Sequence, residues 1–357
     1  MKVEPEPYMS TIEDQKPAIP ASNRFKRQAL RVSQESLVKT GFLSADQRMP
    51  LVVWPAIEGL SLCGWTERNR EFIETGLRRY GALLFRGFGV TSAVEFERFI
   101  ETISGELIEY SYGSTPRSRV SGSIYTSTEY PSDQTIPLHN EMSYSRNWPM
   151  KIWFFCLEPP EVGGRTPIGD SRRVFAAMNP EVKERFLDKG VLYVRNYGYG
   201  LDLPWQDVFQ TSDKRRVEGF CRDAGIETEW MGGGRLRTRQ RCQAAATHPK
   251  TGDHVWFNQA HLFHCSNLSA NVREDLLRNF KESDLPRNAY YGDGSPIEDS
   301  VLHHVRKVYR QETTSFAWQI GDILMLDNML VAHGRAPYAG SRKILVGMAE
   351  PFSWKGL

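Results

Sequence analysis

The sequence contains no apolar run close to the ~20 residues that a membrane-spanning helix needs. Its longest candidates, such as Leu51–Ile57, are short. The amino terminus, MKVEPEPYMS, carries two early glutamates and no apolar core, so it does not read as a secretory signal. Cysteine is sparse. Five residues, at 63, 156, 221, 242 and 265, are odd in number and widely spaced, with no C-x-x-C pair. That pattern disfavours a disulfide framework and points to a reducing cytoplasm. A surplus of one charge is also missing: 45 basic against 43 acidic residues leave a net +2. Non-specific nucleic-acid binding, which needs a phosphate-matching excess, gains no support. Internal repeats and low-complexity tracts are absent.

What is present is ordinary globular composition, 40% hydrophobic and 25% charged over 357 residues. Arginine outnumbers lysine by 32 to 13. Because the guanidinium fork pairs well with carboxylates, acidic ligands stay open as a class. Residues 1–50 are polar and proline-bearing and read as a partly flexible N-terminal extension; residues 51–357 form the expected folded domain. The spacing of Phe72, Ile73 and Leu77 predicts a helix over 65–79 that Gly81 closes, with a second helix over 94–103. Residues 104–138, rich in Ser, Thr, Tyr, Gly and Pro, read as an ordered loop or lid. After them come many short strand-like runs, among them 152–157, 166–169, 191–197, 243–247, 255–257, 316–320, 323–326 and 344–348. Helical stretches interrupt these runs. The pattern favours a barrel or two-sheet sandwich with helices outside over a doubly wound α/β sheet.

The segment Leu138-His139-Asn140-Glu141-Met142 is the most informative. Residues two apart on an extended strand point the same way, so His139 and Glu141 can face one metal ion. Alone, H-x-E is a weak signal. With His333, from Leu326-Asp327-Asn328-Met329-Leu330-Val331-Ala332-His333-Gly334-Arg335, it becomes two imidazoles and a carboxylate. That donor set leaves three octahedral positions open and suits non-haem Fe(II) oxygenases. Thr166, in Gly163-Gly164-Arg165-Thr166-Pro167, offers a hydroxyl beside permissive glycines. Arg342, nine residues after His333, could clamp a distal carboxylate; Arg335 competes for that role.

These segments resemble the taurine dioxygenase/TfdA superfamily of Fe(II)/2-oxoglutarate-dependent oxygenases. The wording PLHNEMSY, PPEVGGRTPIGDSR, WFNQAHLFH and LDNMLVAHGRAPYAGSRKILVGMAEP is most similar to the subgroup typified by the syringomycin-biosynthesis aspartyl hydroxylase. Roughly residues 75–351 are covered. Glu141 stands where Asp is more usual, a replacement some amino-acid hydroxylases of the group share. The resemblance implies a mainly β fold with flanking helices, a clavaminate synthase-like double-stranded β-helix (jelly roll). It makes His139, Glu141 and His333 the catalytic iron ligands and assigns Thr166 and Arg342 to the 2-oxoglutarate carboxylate. Fe(II), 2-oxoglutarate and O2 are the expected cofactors. The implied reaction is hydroxylation of an amino acid or an amino-acid-derived natural-product intermediate, free or tethered to an acyl or peptidyl carrier protein. Succinate and CO2 are the co-products. Because Glu141 fills the place that related halogenases leave for halide, oxygenation is expected. Desaturation, epoxidation or cyclisation are alternatives, as are a cupin-like metal-dependent isomerase or hydrolase and a non-catalytic binding protein.

For the substrate, Asn140, Asn258, His261 and Arg335 are the candidate contacts, with Met142 and Tyr144 beside the ligands. Arg235, Arg237, Arg239 and Arg241 alternate, which reads as a charged face on an edge strand or as a dock for an anionic partner. His264 and Cys265, with His261, Cys242 and His248, match no common zinc spacing.

Overall fold

A run of strands whose apolar residues are continuous must bury both faces, and the central sheet does so. In the computed structural model, which describes residues 37–108, 117–128 and 130–354, an eight-stranded sheet runs in the order Val38–Gly41, Leu51–Pro55, Ala82–Phe85, Ile323–Asp327, Asn147–Glu158, Lys343–Ser353, Ile124–Thr126, Arg119–Ser121. Along Asn147–Glu158, Trp153 and Phe155 pack with the helices on one side. Ile152, Phe154 and Cys156 face a second sheet on the other. Ile323–Asp327 alternates in the same way, with Ile323 and Met325 against Leu324 and Leu326. The second sheet has the order Thr313–Phe316, Thr166–Asp170, Val331–Arg335, Ile136–His139. The two sheets enclose one core that includes Ile152, Phe154, Ile168, Leu324, Val331 and Val346. Full burial of each such side chain contributes about 1.5–3 kcal/mol. This is the expected jelly-roll arrangement.

The helical face is covered by Leu62–Arg68, Arg70–Tyr80 and Ala93–Ser104. The single helix expected over 65–79 is two. Asn69 breaks it, with φ −126°, and its amide donates to Trp65 O at 2.7 Å. Gly81 ends the second helix in the left-handed region (φ 73°), where a Cβ would stand 2.5 Å from Val331. Ser92 and Glu95 form a reciprocal cap on the third helix.

A third sheet, Glu227–Met231, Arg235–Cys242, Val191–Tyr197, Arg287–Tyr291, lies outside this frame. The arginine strand is therefore not an edge: it pairs on both sides. Alternation reported which residues share a face but not how many strands flank them. Leu236, Thr238, Gln240 and Cys242 are buried while the arginines point outward. Arg237 meets Asp284, and Arg239 lies 2.9 Å from Glu229.

Of the extension read over 1–50, residues 1–36 lie outside the described residues, and Val38–Gly41 pairs antiparallel with Leu51–Pro55. Residues 109–116 and 129 of the Ser/Thr/Tyr-rich loop are outside them as well. Among the described residues, no helix is long and apolar enough to cross a membrane.

Candidate functional site

His139 ends the strand Ile136–His139, directly across the antiparallel ladder from His333. Residues in direct register share a face, and the two imidazoles have ring centroids 4.6 Å apart. Gly334 permits this approach, because a Cβ there would meet Ile136 O at 2.5 Å. Phe154 of the large sheet packs on the His333 ring at 4.9 Å.

Glu141 comes in differently. The strand stops at His139, and Asn140–Ser145 forms a turn in which Met142 has φ 57°. Strand periodicity does not aim the carboxylate; Asn328 does. Its buried amide accepts from Glu141 N at 2.7 Å and donates to Glu141 O at 2.9 Å and Pro149 O at 2.8 Å. Asn328 itself follows Asp327, which accepts from Met329 N and Leu330 N and sits 2.9 Å from His248 Nε2. Asn328 went unnoticed as a site residue, although it stands five residues before His333. Nothing in its spacing distinguishes an amide that holds a backbone from one in a loop.

One ligand atom from each of His139, Glu141 and His333 lies within 4.8 Å of the others. His139 Nδ1 is 2.9 Å from Pro137 O, so that nitrogen carries the proton and Nε2 keeps its lone pair. Burial pulls both imidazoles below their ordinary pKa, which keeps them neutral and able to ligate. His333 Nε2 is 3.8 Å from Glu141 Oε2. The donor chemistry fits a divalent transition metal with open positions.

Thr166 opens the next strand and is buried; Trp318 Nε1 donates to its hydroxyl at 2.9 Å. Arg342 faces the same cleft. It holds Gly164 O at 3.4 Å and Ser127 Oγ at 3.5 Å, which are long bonds that a carboxylate could replace. Burial and the Arg335 guanidinium push Arg342 down to about 10, still cationic at neutral pH. Arg335 lines the cleft too, but it donates to Tyr130 O and Gln134 O at 2.9 Å each and to Pro131 O. It ties residues 130–134 of the loop to the site.

The other substrate candidates do not reach the cavity. Asn140 Nδ2 donates to Asn328 O at 2.6 Å and Ser171 Oγ at 3.0 Å. Asn258 bridges Ala244 O and Ala260 N, and His261 Nε2 donates to Leu138 O at 3.0 Å while stacking on Tyr309. All three are essentially fully buried. In the structure they hold neighbouring backbone. Of the histidines and cysteines whose spacing matched no zinc pattern, Cys242 and His248 lie elsewhere, bonded to Tyr144 O and Asp327. His264 and Cys265 meet Glu282, but His264 Nδ1 already accepts from Ser266 N at 3.1 Å.

A second residue that sequence reasoning missed is Arg117. Its side chain is 3% exposed, and Nη2 donates to Glu141 Oε2 at 2.7 Å. It precedes Glu141 by 24 positions, inside a loop without periodicity, so no spacing signals it.

Residues 49–349 match the model of the taurine catabolism dioxygenase TauD, TfdA family. The chain is 40% identical over 279 residues to the dapdiamide synthesis protein DdaC of Enterobacter agglomerans, covering 78% of this chain and 85% of that one. It is 33% identical over 308 residues to a clavaminate synthase-like protein of Arabidopsis thaliana, covering 82% and 90%. Among solved structures it resembles PvcB of Pseudomonas aeruginosa, with a TM-score of 0.51 and 16% identity over 87% of this chain and 90% of that one. PvcB is described as an Fe, alpha-ketoglutarate dependent oxygenase from an isonitrile synthetic pathway.

Proposed function

Because the chain belongs to the taurine catabolism dioxygenase TauD, TfdA family, we propose that His139, Glu141 and His333 bind ferrous iron and that Thr166 and Arg342 bind 2-oxoglutarate. The protein is an Fe(II)/2-oxoglutarate-dependent dioxygenase of natural-product biosynthesis. The observation that carries this reading is the convergence of three neutral or anionic donors within 4.8 Å of one another, beside a cleft holding Arg342 and Thr166. Bound there, iron with 2-oxoglutarate and O2 supplies the oxidising power, with succinate and CO2 as co-products.

The chain's own share is placement. His139 presents Nε2 because Pro137 O holds Nδ1–H. Asn328 sets the carboxylate of Glu141 through the backbone on either side of it. Arg342 takes the far carboxylate of 2-oxoglutarate with the Thr166 hydroxyl, in a cleft walled by Phe154 and Ile136. The cleft has about 30 Å³ of free space. An oxygenation step then requires one substrate C–H bond held close to the iron.

The likeness to DdaC supports a tailoring step on an amino acid or an amino-acid-derived intermediate, free or borne by a carrier protein. Four buried thiols and one half-buried, none in a disulfide, accord with a reducing cytoplasm. The test is iron stoichiometry together with 2-oxoglutarate-dependent succinate release in wild type, His139→Ala and Glu141→Ala. Both variants should lose iron and succinate release together. Full iron content and turnover in Glu141→Ala would remove it from the ligand set.

A further inference from the structure

The amide of Asn328 that holds Glu141 has a support of its own, from a distant part of the chain. His248 opens a turn between the strands Ala245–Thr247 and His254–Trp256, and its N–H donates to Asp253 O at 2.8 Å. The residue is 1% exposed. Its Nδ1 accepts from Thr251 N at 3.0 Å and Lys250 N at 3.3 Å. A backbone N–H can only donate, so Nδ1 is an acceptor and the ring hydrogen sits on Nε2. Nε2 then donates to Asp327 Oδ2 at 2.9 Å. The turn thus selects the tautomer and aims one N–H at one carboxylate. Resting on the reading above, in which His139, Glu141 and His333 hold iron, we propose that His248 is a positioning residue for that metal: it fixes Asp327, and through it the turn whose Asn328 sets Glu141.

Three observations support this. The first is continuity. Asp327 Oδ1 accepts from Met329 N at 3.0 Å and Leu330 N at 3.1 Å, which closes the turn around Asn328. Asn328 bonds the backbone of Glu141 on both sides, so hydrogen bonds run unbroken from His248 to a ligand. The second is burial. His248, Asp327, Asn328 and Glu141 are all buried. A carboxylate there depends on protein donors, and losing the His248 N–H leaves Asp327 Oδ2 unpaired at a cost that a small rotation would relieve. Such a rotation disturbs the cap at Met329 and Leu330. The third is position. The turn joins the strand Ile323–Asp327 to the strand Val331–Arg335, which carries His333. It therefore stands between two of the three ligands. His248 itself does not line the cleft of Thr166 and Arg342, so its effect passes through Asp327. Removing a group that orients a metal ligand lowers metal affinity about 10–100-fold.

The experiment titrates the full, metal-free chain with Co(II) and reads its visible absorption. Three variants separate the bond from the bulk of the ring. His248→Asn keeps an acceptor near Nδ1 for Thr251 N but is too short to reach Asp327. His248→Gln extends an amide N–H to the place of Nε2. Asp327→Asn keeps an oxygen for Met329 N and Leu330 N but sets an NH2 group against the His248 N–H. Co(II) binding should weaken about tenfold or more in His248→Asn and in Asp327→Asn, and stay within about threefold of wild type in His248→Gln. Wild-type affinity in either of the first two would overturn the proposal, since both break the same bond. Equal weakening in His248→Gln and His248→Asn would overturn it as well, because a role in packing alone would be lost from both alike. Should His248→Asn fail to fold, Asp327→Asn decides. Absence of Co(II) binding in wild type is a separate failure, that of the metal-site reading itself.

Discussion

Replacing Asn328 by alanine should damage the site although Asn328 touches neither metal nor substrate. Its side chain is fully buried and makes three hydrogen bonds, to Glu141 N, Glu141 O and Pro149 O, all between 2.7 and 2.9 Å. Each is worth about 1 kcal/mol net, and a buried donor left without a partner costs about 1–3 kcal/mol more. Alanine leaves Glu141 N–H unpaired in a place that water does not reach. The expected loss of stability is therefore about 4–6 kcal/mol. The second effect is local. With its backbone clamp removed, the turn bearing Glu141 is free to shift, and divalent metal affinity should fall by about tenfold or more. Urea unfolding gives the first quantity and Co(II) titration the second. Asn328→Asp separates the two effects: it keeps the acceptor for Glu141 N but sets a carboxylate against two carbonyls. Its metal binding should lie between alanine and wild type. Loss below 0.5 kcal/mol with unchanged Co(II) affinity in Asn328→Ala would refute the clamp.

Other outcomes follow from the same geometry. Arg342→Ala should raise the 2-oxoglutarate dissociation constant about 100-fold, since about 3 kcal/mol of charge-assisted bonding is removed; an unchanged constant, read by titration calorimetry, would withdraw the assignment. In Gly334→Ala the added Cβ meets Ile136 O at 2.5 Å, which should part the strands carrying His139 and His333 and weaken Co(II) binding. Burial pushes His261 down to about 3, below the ~6.5 of an unfolded chain. The unfolded state then binds the extra proton, so this group's contribution to stability falls as pH drops below about 6.5, by about 2 kcal/mol at pH 5. His261→Gln should lose less stability over that interval in urea titrations at both pH values.

Much of this was legible from short-range pattern. His139 and His333 announced themselves through motif and spacing, and the continuous apolar runs at 152–157 and 323–326 marked strands. Polar residues in apolar company were misleading. Asn140, Asn258 and His261 looked like cavity lining, yet a fold this dense needs internal donors for turns and strand ends, and these side chains serve there. Arg117 and Asn328 were invisible for the opposite reason. Each acts through contacts 24 and 187 residues away in the chain, and no local period encodes such a distance.

The central claim is that one site binds Fe(II) through His139, Glu141 and His333 and 2-oxoglutarate beside it. Anaerobic titration of Fe(II)-loaded protein with 2-oxoglutarate tests both at once. A visible charge-transfer band should appear, saturate at one equivalent of 2-oxoglutarate per bound iron and be lost in Glu141→Ala. Iron bound without any such band, at saturating 2-oxoglutarate, would contradict it.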